Sequence, residues 1–182
     1  MLENITNYKN INDWFYLITA VLVVDFVVIL LSKYPGNSPY FKVETLDKWY
    51  SKFGIFAVGS DVLSILIGLA VTRYIFTALG LTNPLYFLLI LLLFQLFHDV
   101  FFYLAIIRQL PTGHNEMIDV FKEYAVENGA KILVSDALMM LFSAILASLL
   151  KSSPDHVTSS VALLTAYALC YIIYTRKAIT QK

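Results

Sequence analysis

Five long apolar stretches, separated by short polar segments, dominate the pattern of this sequence. Each stretch approaches the roughly 20 apolar residues that a transmembrane helix needs. The pattern therefore predicts five spans, near Asp13 to Leu31, Phe53 to Phe76, Leu85 to Ile107, Ile132 to Leu150 and Val157 to Thr175. Asn83 and Ser153 each precede a proline, which indicates where the third and fifth helices begin. The fifth stretch opens with weak hydrophobes and contains no acid, so it is the least typical span.

Composition supports a membrane class. Hydrophobic residues make up 59% of the 182 residues and charged residues 14%, which does not fit a soluble domain. The formal net charge is zero and no basic block occurs, so no nucleic-acid partner is expected. The single Cys170 excludes an internal disulfide. The N-terminus lacks the basic start and cleavage site of a signal peptide, so the first span is expected to be retained.

Four aspartates interrupt the first four apolar stretches. Asp25, Asp61, Asp99 and Asp136 follow one another at separations of 36, 38 and 37 residues, one in each predicted span. A carboxylate at the centre of a membrane helix costs about 2.5 to 3.5 kcal/mol, so four cost roughly 10 to 14 kcal/mol unless they are protonated or partnered. The helix directions place all four at a similar depth, closer to one face of the bundle.

Lysine and arginine are distributed unevenly between the two sides of the predicted bundle. The segments after the first, third and fifth spans carry ten of these cations, whereas the opposite side carries only Lys9, Arg73 and Lys151. Cytoplasmic flanks carry the excess of Lys and Arg in membrane proteins. We therefore expect the C-terminus and the two longer loops to be cytoplasmic, with the N-terminus across the membrane.

Two helical hairpins resemble each other at an offset of about 75 residues. Their shared positions are Gly54, Ser60 and Asp61 against Gly129, Ser135 and Asp136, with Pro35, Gly36 and Asn37 echoed by Pro111, Gly113 and Asn115. We therefore predict a tandem duplication related by an axis along the membrane normal. The expected architecture is an all-α membrane domain over 1–182: hairpin repeats 13–76 and 85–150, and a fifth helix at 157–175.

The loops that follow the first and third spans each contain an amphipathic segment. Residues 45–53 and 116–129 both place aromatic side chains among charged ones, as a short helix at a membrane interface does. Such a helix can act as a gate over the aspartate level or as an anchor.

The densest polar patch of the spans lies on one face of the third helix, at Gln95, His98 and Asp99. With the other three aspartates, these residues suit a proton or cation site, because acids and a histidine can relay protons and carboxylates bind hard cations. The alternative is a structural role, in which the acids are hydrogen-bond partners between helices. Small residues beside Asp61 and Asp136, such as Ser64, Gly68, Met140 and Ser143, are expected on faces between helices.

Catalysis is the least favoured hypothesis. The chain contains no H-E-x-x-H, G-x-S-x-G or C-x-x-C motif, and a pair of acids alone is a weak sign of an aspartic dyad. We therefore expect no enzyme and no cofactor; the partners are the lipid bilayer, a proton or cation, and a second copy in a homo-oligomer.

The third span and the loop after it carry a recognisable pattern. Gln95-x-x-His98-Asp99-x-x-Phe102-Tyr103, followed by Pro111-x-Gly113-x-Asn115-x-Met117-x-Asp119-x-Phe121-Lys122-x-Tyr124-Ala125 and by Asp136, resembles uncharacterised multi-pass membrane proteins encoded by large DNA viruses of algae and protists. The resemblance covers the first four spans and leaves the fifth unmatched. It implies a viral or host internal membrane, and it carries no activity or catalytic residues.

Overall fold

The computed structural model describes residues 5–34 and 43–175. All regular structure within these ranges is helical, in seven helices. They are α1 (Asp13–Lys33), α2 (Glu44–Phe53), α3 (Ile55–Ala78), α4 (Pro84–Phe102), α5 (Glu116–Asn128), α6 (Lys131–Lys151) and α7 (Asp155–Ile172). A π-helical turn, Tyr103–Ile107, extends α4. Asn83 accepts a hydrogen bond from the backbone of Leu85 and caps α4, as its position before a proline predicts.

Four of the helices are long and apolar enough to cross a membrane. They are α1, α3, α6 and α4 with its π turn, and they match the first four predicted spans to within a few residues. The fifth predicted span, 157–175, is a helix over Asp155–Ile172, but it does not reach the hydropathy of the other four. Asp155 and His156, followed by Thr158, Ser159 and Ser160, lower the hydropathy of its first turns. A four-helix membrane arrangement is therefore compatible with the fold, and a five-span bundle is not confirmed.

Short helices follow α1 and α4, as the amphipathic segments predict. Asn115 caps α5 by accepting hydrogen bonds from the backbone N–H groups of Met117 and Ile118. Both short helices end at a glycine with positive φ, Gly54 at 54° and Gly129 at 53°. Glycine has no Cβ and tolerates this conformation, which turns the chain directly into α3 and α6. α2 and α5 pack against each other.

The two halves of the bundle share one order of elements: a long helix, a short helix, a glycine and a second long helix. α1 packs against α3 and α6, and α4 packs against α6 and α3, so exchanging the halves preserves the pairings. α7 packs on α1 and α6.

The tandem duplication stays a prediction. The loop residues Pro35 to Asn37 that echo Pro111 to Asn115, and several of the counted cations at 42, 176, 177 and 182, lie outside the described residues.

The faces of α3 and α6 that carry Asp61 and Asp136 lie mostly between helices, as the spacing predicts. Ala57, Met140, Ser143 and Ala147 are fully buried. A Cβ on Gly68 would overlap the terminal methyl group of Met140, so the Met140 side chain fills the space that the missing side chain leaves between α3 and α6. Ser64 is the exception: it was expected between helices but is exposed, because it borders the cavity described below.

A buried ion cluster fixes the end of the bundle opposite α2 and α5. Oδ2 of Asp13 lies 2.9 Å from Nη2 of Arg73, and Oδ1 lies 2.6 Å from Nζ of Lys151. Arg73 also donates to the carbonyl oxygens of Asn7 and Asn10, and both Arg73 and Asp13 are inaccessible to solvent. Arg73 and Lys151 therefore join α1, α3 and α6, although the sequence suggests ordinary flank charges.

Candidate functional site: an acid-lined cavity

Three of the four membrane aspartates border one cavity of about 770 Å³. Asp61, Asp99 and Asp136 line it together with Gln95 and His98. Asp25 is absent from the lining and is fully buried in the protein. The structure thus brings five of the six predicted site residues around a single space, and it separates Asp25 from them.

Every helix except α7 contributes to the cavity wall, α1 through Val28 alone. α3, α4 and α6 carry the acids, and the short helices α2 and α5 add aromatic side chains. These aromatic residues are Trp49, Tyr50, Phe121 and Tyr124. Trp49 and Phe121 pack with ring centroids 4.7 Å apart, so the two short helices form one aromatic wall. No lysine or arginine occurs among the described residues that line the cavity, which leaves its wall acidic.

The phenol of Tyr50 connects Asp61 to Asp25. Its hydroxyl lies 2.8 Å from Oδ2 of Asp61 and 3.2 Å from Oδ1 of Asp25. A phenol has one proton to donate, so both contacts become full hydrogen bonds only when one carboxyl group is protonated and donates in turn. Trp49 donates its indole N–H to the same Oδ2 of Asp61 at 3.1 Å.

Burial keeps the Tyr50 phenol neutral. Its removal from water raises the pKa of Tyr50 well above its usual value, and the nearby Asp61 and Asp25 raise that pKa further. Tyr50 therefore remains a hydrogen-bond donor at neutral pH.

Asp99 is held from its own helix. Gln95 donates to its Oδ1 at 2.6 Å, and Nδ1 of His98 lies 3.3 Å from the same oxygen. The other oxygen, Oδ2, is buried and has no hydrogen-bond partner within the described residues. The His98 ring stacks between Phe94 and Phe102, at centroid distances of 6.3 and 6.0 Å. These contacts orient one carboxylate oxygen and leave the second buried and without a partner in the described residues.

Asp136 lies on the same wall without a hydrogen-bond partner in the described part of the chain. Its neighbour Tyr124, on α5, occupies the position that corresponds to Trp49 in the first half. Burial raises the pKa of the Tyr124 phenol, and the Asp136 carboxylate raises it further. Tyr124 therefore faces the acid as a neutral aromatic side chain.

The acids are spread over the cavity wall. Within residues 5–34 and 43–175, no group of three or more His, Cys, Asp or Glu side chains is placed to hold a metal ion. A dehydrated inorganic cation needs several oxygen ligands at about 2.0 to 2.6 Å. The structure therefore does not show a multidentate metal centre.

The cavity opens at the outer surface of the bundle, beside α3 and the π turn after α4. Leu63 and Ile67 on α3 and Leu104 in the π turn line the cavity and also remain 59%, 56% and 46% exposed. We call these three residues the mouth. These three side chains are apolar, so this part of the opening suits lipid. Ser64 and Ser135 also line the cavity and are exposed, so the opening has polar positions as well.

Two parts of the site were not identified from the sequence. Trp49 and Tyr50 lie in a segment whose amphipathic pattern predicts an anchor or a gate, and no local signal places their polar atoms against Asp61. The π turn adds Tyr103, Leu104 and Ile107 to the wall. Such turns are frequent at functional sites, but this apolar segment looks like the rest of the span.

Comparison with known proteins adds no identification. The resemblance to membrane proteins of large DNA viruses stays a prediction, since no protein-family model matches the chain and neither a curated protein nor a solved structure matches it significantly.

Proposed function

We propose that this chain is a multi-pass membrane protein that binds protons or other positively charged groups in its acid-lined cavity. The observation that carries the proposal is the wall itself: Asp61, Asp99 and Asp136 border one space that no described lysine or arginine enters. Positive charge inside that space is the simplest way to offset three carboxylates in an apolar region.

The hydrogen bonds support this assignment because they satisfy the acids unequally. Asp61 accepts from both Trp49 and Tyr50. Asp99 keeps one buried oxygen without a partner in the described residues, and no hydrogen bond between described residues involves Asp136. A purely structural role predicts dry acids that bond directly across helices. Asp99 and Asp136 border the cavity instead, where protonation or a bound cation would satisfy both.

Asp25 fits the structural alternative. It is inaccessible to solvent and absent from the cavity wall; its Oδ1 lies 3.2 Å from the Tyr50 hydroxyl, and its buried Oδ2 has no partner within the described residues. We therefore assign Asp25 to joining α1 and α2 and exclude it from the binding wall.

The proposal concerns binding, not passage across the membrane. The opposite end of the bundle is filled by the buried Asp13, Arg73 and Lys151 cluster, which belongs to no part of the cavity wall. We also propose that the longer loops lie on the cytoplasmic side and that the protein resides in a viral or host internal membrane.

The test uses dicyclohexylcarbodiimide, an apolar reagent that reacts with protonated carboxyl groups. The protein in lipid nanodiscs should form adducts at Asp61, Asp99 and Asp136 but not at Asp25, as mapped by mass spectrometry. The rate of adduct formation should fall as pH rises, because only the protonated acid reacts. An Asp→Asn variant of each residue controls for the site of the adduct. Protein unfolded in dodecyl sulfate controls for the reactivity of the carboxyl groups outside the fold. The proposal fails if the folded protein forms no adduct at these three residues while the unfolded protein does.

A further inference from the structure

We infer that the cavity binds a lipophilic organic cation, a ligand with one positive group on an apolar body of drug-like size. The inference rests on the proposed function and specifies the class of positively charged group that occupies the site. Size, charge, aromatic lining and the position of the mouth each support it.

The size of the cavity exceeds what a proton or a bare metal ion needs. At about 770 Å³ it falls within the roughly 300 to 1,000 Å³ of pockets that hold drug-sized molecules. The described acids do not converge as metal ligands would. An ion pair with a bulky cation requires only one near carboxylate and tolerates acids spread over the wall.

Charge complementarity indicates where the positive group binds. The Asp99 side chain is 13% exposed, and its buried Oδ2 has no partner in the described residues. Phe102, Phe121 and Tyr124 line the space near the acids. Aromatic faces attract cations, most strongly where water is excluded. This combination favours an organic cation over a neutral lipid, which would leave the three carboxylates unpaired.

The mouth indicates where the apolar body of the ligand lies. Leu63, Ile67 and Leu104 line the cavity and remain substantially exposed. A ligand that partitions into the bilayer can enter sideways past these residues, with its charged end toward Asp99. The apolar body then covers the exposed side chains of the mouth and gains hydrophobic burial.

Tetraphenylphosphonium and tetraphenylborate are a matched pair of probes, because they share shape and differ in charge. Equilibrium dialysis against phosphatidylcholine nanodiscs, with empty nanodiscs subtracted, measures the binding of each. We expect saturable binding of the phosphonium at one site and none of the borate. Asp99→Asn and Asp136→Asn should each weaken phosphonium binding by roughly tenfold or more. Asp155→Asn, which changes an acid outside the cavity, should leave it unchanged.

Folding is controlled separately. Each variant is compared with the wild-type protein by its thermal midpoint, and Leu104→Trp, which fills the mouth and removes no charge, provides a second test. It should weaken phosphonium binding as well. Phosphonium binding that survives both Asn substitutions, or borate binding of equal affinity, overturns the inference.

Carbodiimide labelling separates this inference from the function on which it rests. If tetraphenylphosphonium occupies the cavity, it should slow adduct formation at Asp99, and tetraphenylborate should not. If all three acids are labelled, but the phosphonium neither slows the labelling nor binds saturably, the lipophilic cation is rejected. The acid-lined site then still stands. Absence of labelling in the folded protein rejects the proposed function itself.

Discussion

The Tyr50 hydroxyl donates to Oδ2 of Asp61 across 2.8 Å and ties the short helix α2 to α3. The same hydroxyl lies 3.2 Å from Asp25 on α1, so one phenol holds three helices at the level of the acids. This contact divides the four aspartates: it supports Asp25 inside the protein and places Asp61 at the edge of the cavity.

Replacing Tyr50 with Phe should destabilise the protein. The substitution removes one hydroxyl: Oδ1 of Asp25 loses its donor, and Oδ2 of Asp61 keeps only Trp49. A lost hydrogen bond to a buried group costs about 1 to 3 kcal/mol. Unfolding by dodecyl sulfate in mixed micelles measures the effect. Tyr171→Phe is the matched control, because Tyr171 is exposed and its hydroxyl hydrogen-bonds to Tyr167 at the surface. Equal effects of the two substitutions would contradict the bridging role.

The raised pKa of Tyr50 predicts a pH dependence at the alkaline end. Burial and the two acids favour the neutral phenol in the folded state. Its contribution to stability is therefore complete below the unfolded pKa of about 10 and is lost as pH rises above it. Stability measured from pH 8 to 12 should fall more steeply for wild type than for Tyr50→Phe. Parallel curves would show that Tyr50 does not carry this dependence.

Substitutions at two glycines of α3 should have opposite effects. Gly68→Ala forces Met140 to move, which costs about 1 to 3 kcal/mol in a closely packed contact. A Cβ at Gly59 meets nothing within 4 Å, so Gly59→Ala should stabilise the helix by up to about 1 kcal/mol. The same micellar unfolding assay compares them. A Gly68→Ala variant as stable as Gly59→Ala would mean that the Met140 side chain turns aside without cost.

Much of the helical organisation could be predicted from the sequence, because it depends on local patterns. Apolar runs predict five spans, four of which are α1, α3, α4 and α6, and the amphipathic segments predict α2 and α5 within one residue at either end. The fifth span was less certain because serine and threonine dilute its hydropathy, and it remains unconfirmed.

The division of the acids could not be predicted, because it depends on partners distant in sequence. Asp25 has only apolar neighbours along its helix, and its donor Tyr50 lies 25 residues away. Arg73 was counted as a flank charge because its partner Asp13 is 60 residues away. The Gln95 and Asp99 pair was accessible to sequence analysis, since an i, i+4 spacing places both on one helix face.

Breaking the buried ion cluster should cost more than breaking a surface pair. Asp13→Ala leaves the inaccessible Arg73 without its carboxylate, which typically costs about 3 to 5 kcal/mol. Lys52→Ala removes an exposed contact with Glu116 and should cost at most about 1 kcal/mol. Thermal unfolding in detergent compares the variants. Similar midpoints for both would contradict the role assigned to Asp13.

Filling the mouth should slow access to the acids. Leu63→Trp adds bulk at the opening, so carbodiimide labelling of Asp99 should fall several-fold. Leu89→Trp places the same bulk on an exposed position of α4 that does not line the cavity, and it should leave the rate unchanged. Mass spectrometry of the labelled protein measures both rates. Equal labelling in the two variants would exclude lateral entry beside Leu63.

The most direct test of the acid-lined cavity is a high-resolution map of the protein in lipid nanodiscs, determined with and without tetraphenylarsonium, whose arsenic atom scatters strongly. We expect both maps to show an open space bordered by Asp61, Asp99 and Asp136, and the map with tetraphenylarsonium to show added density beside Asp99. Helices α3, α4 and α6 closed on one another, with the three carboxyl groups in dry contact and no added density, would contradict this expectation.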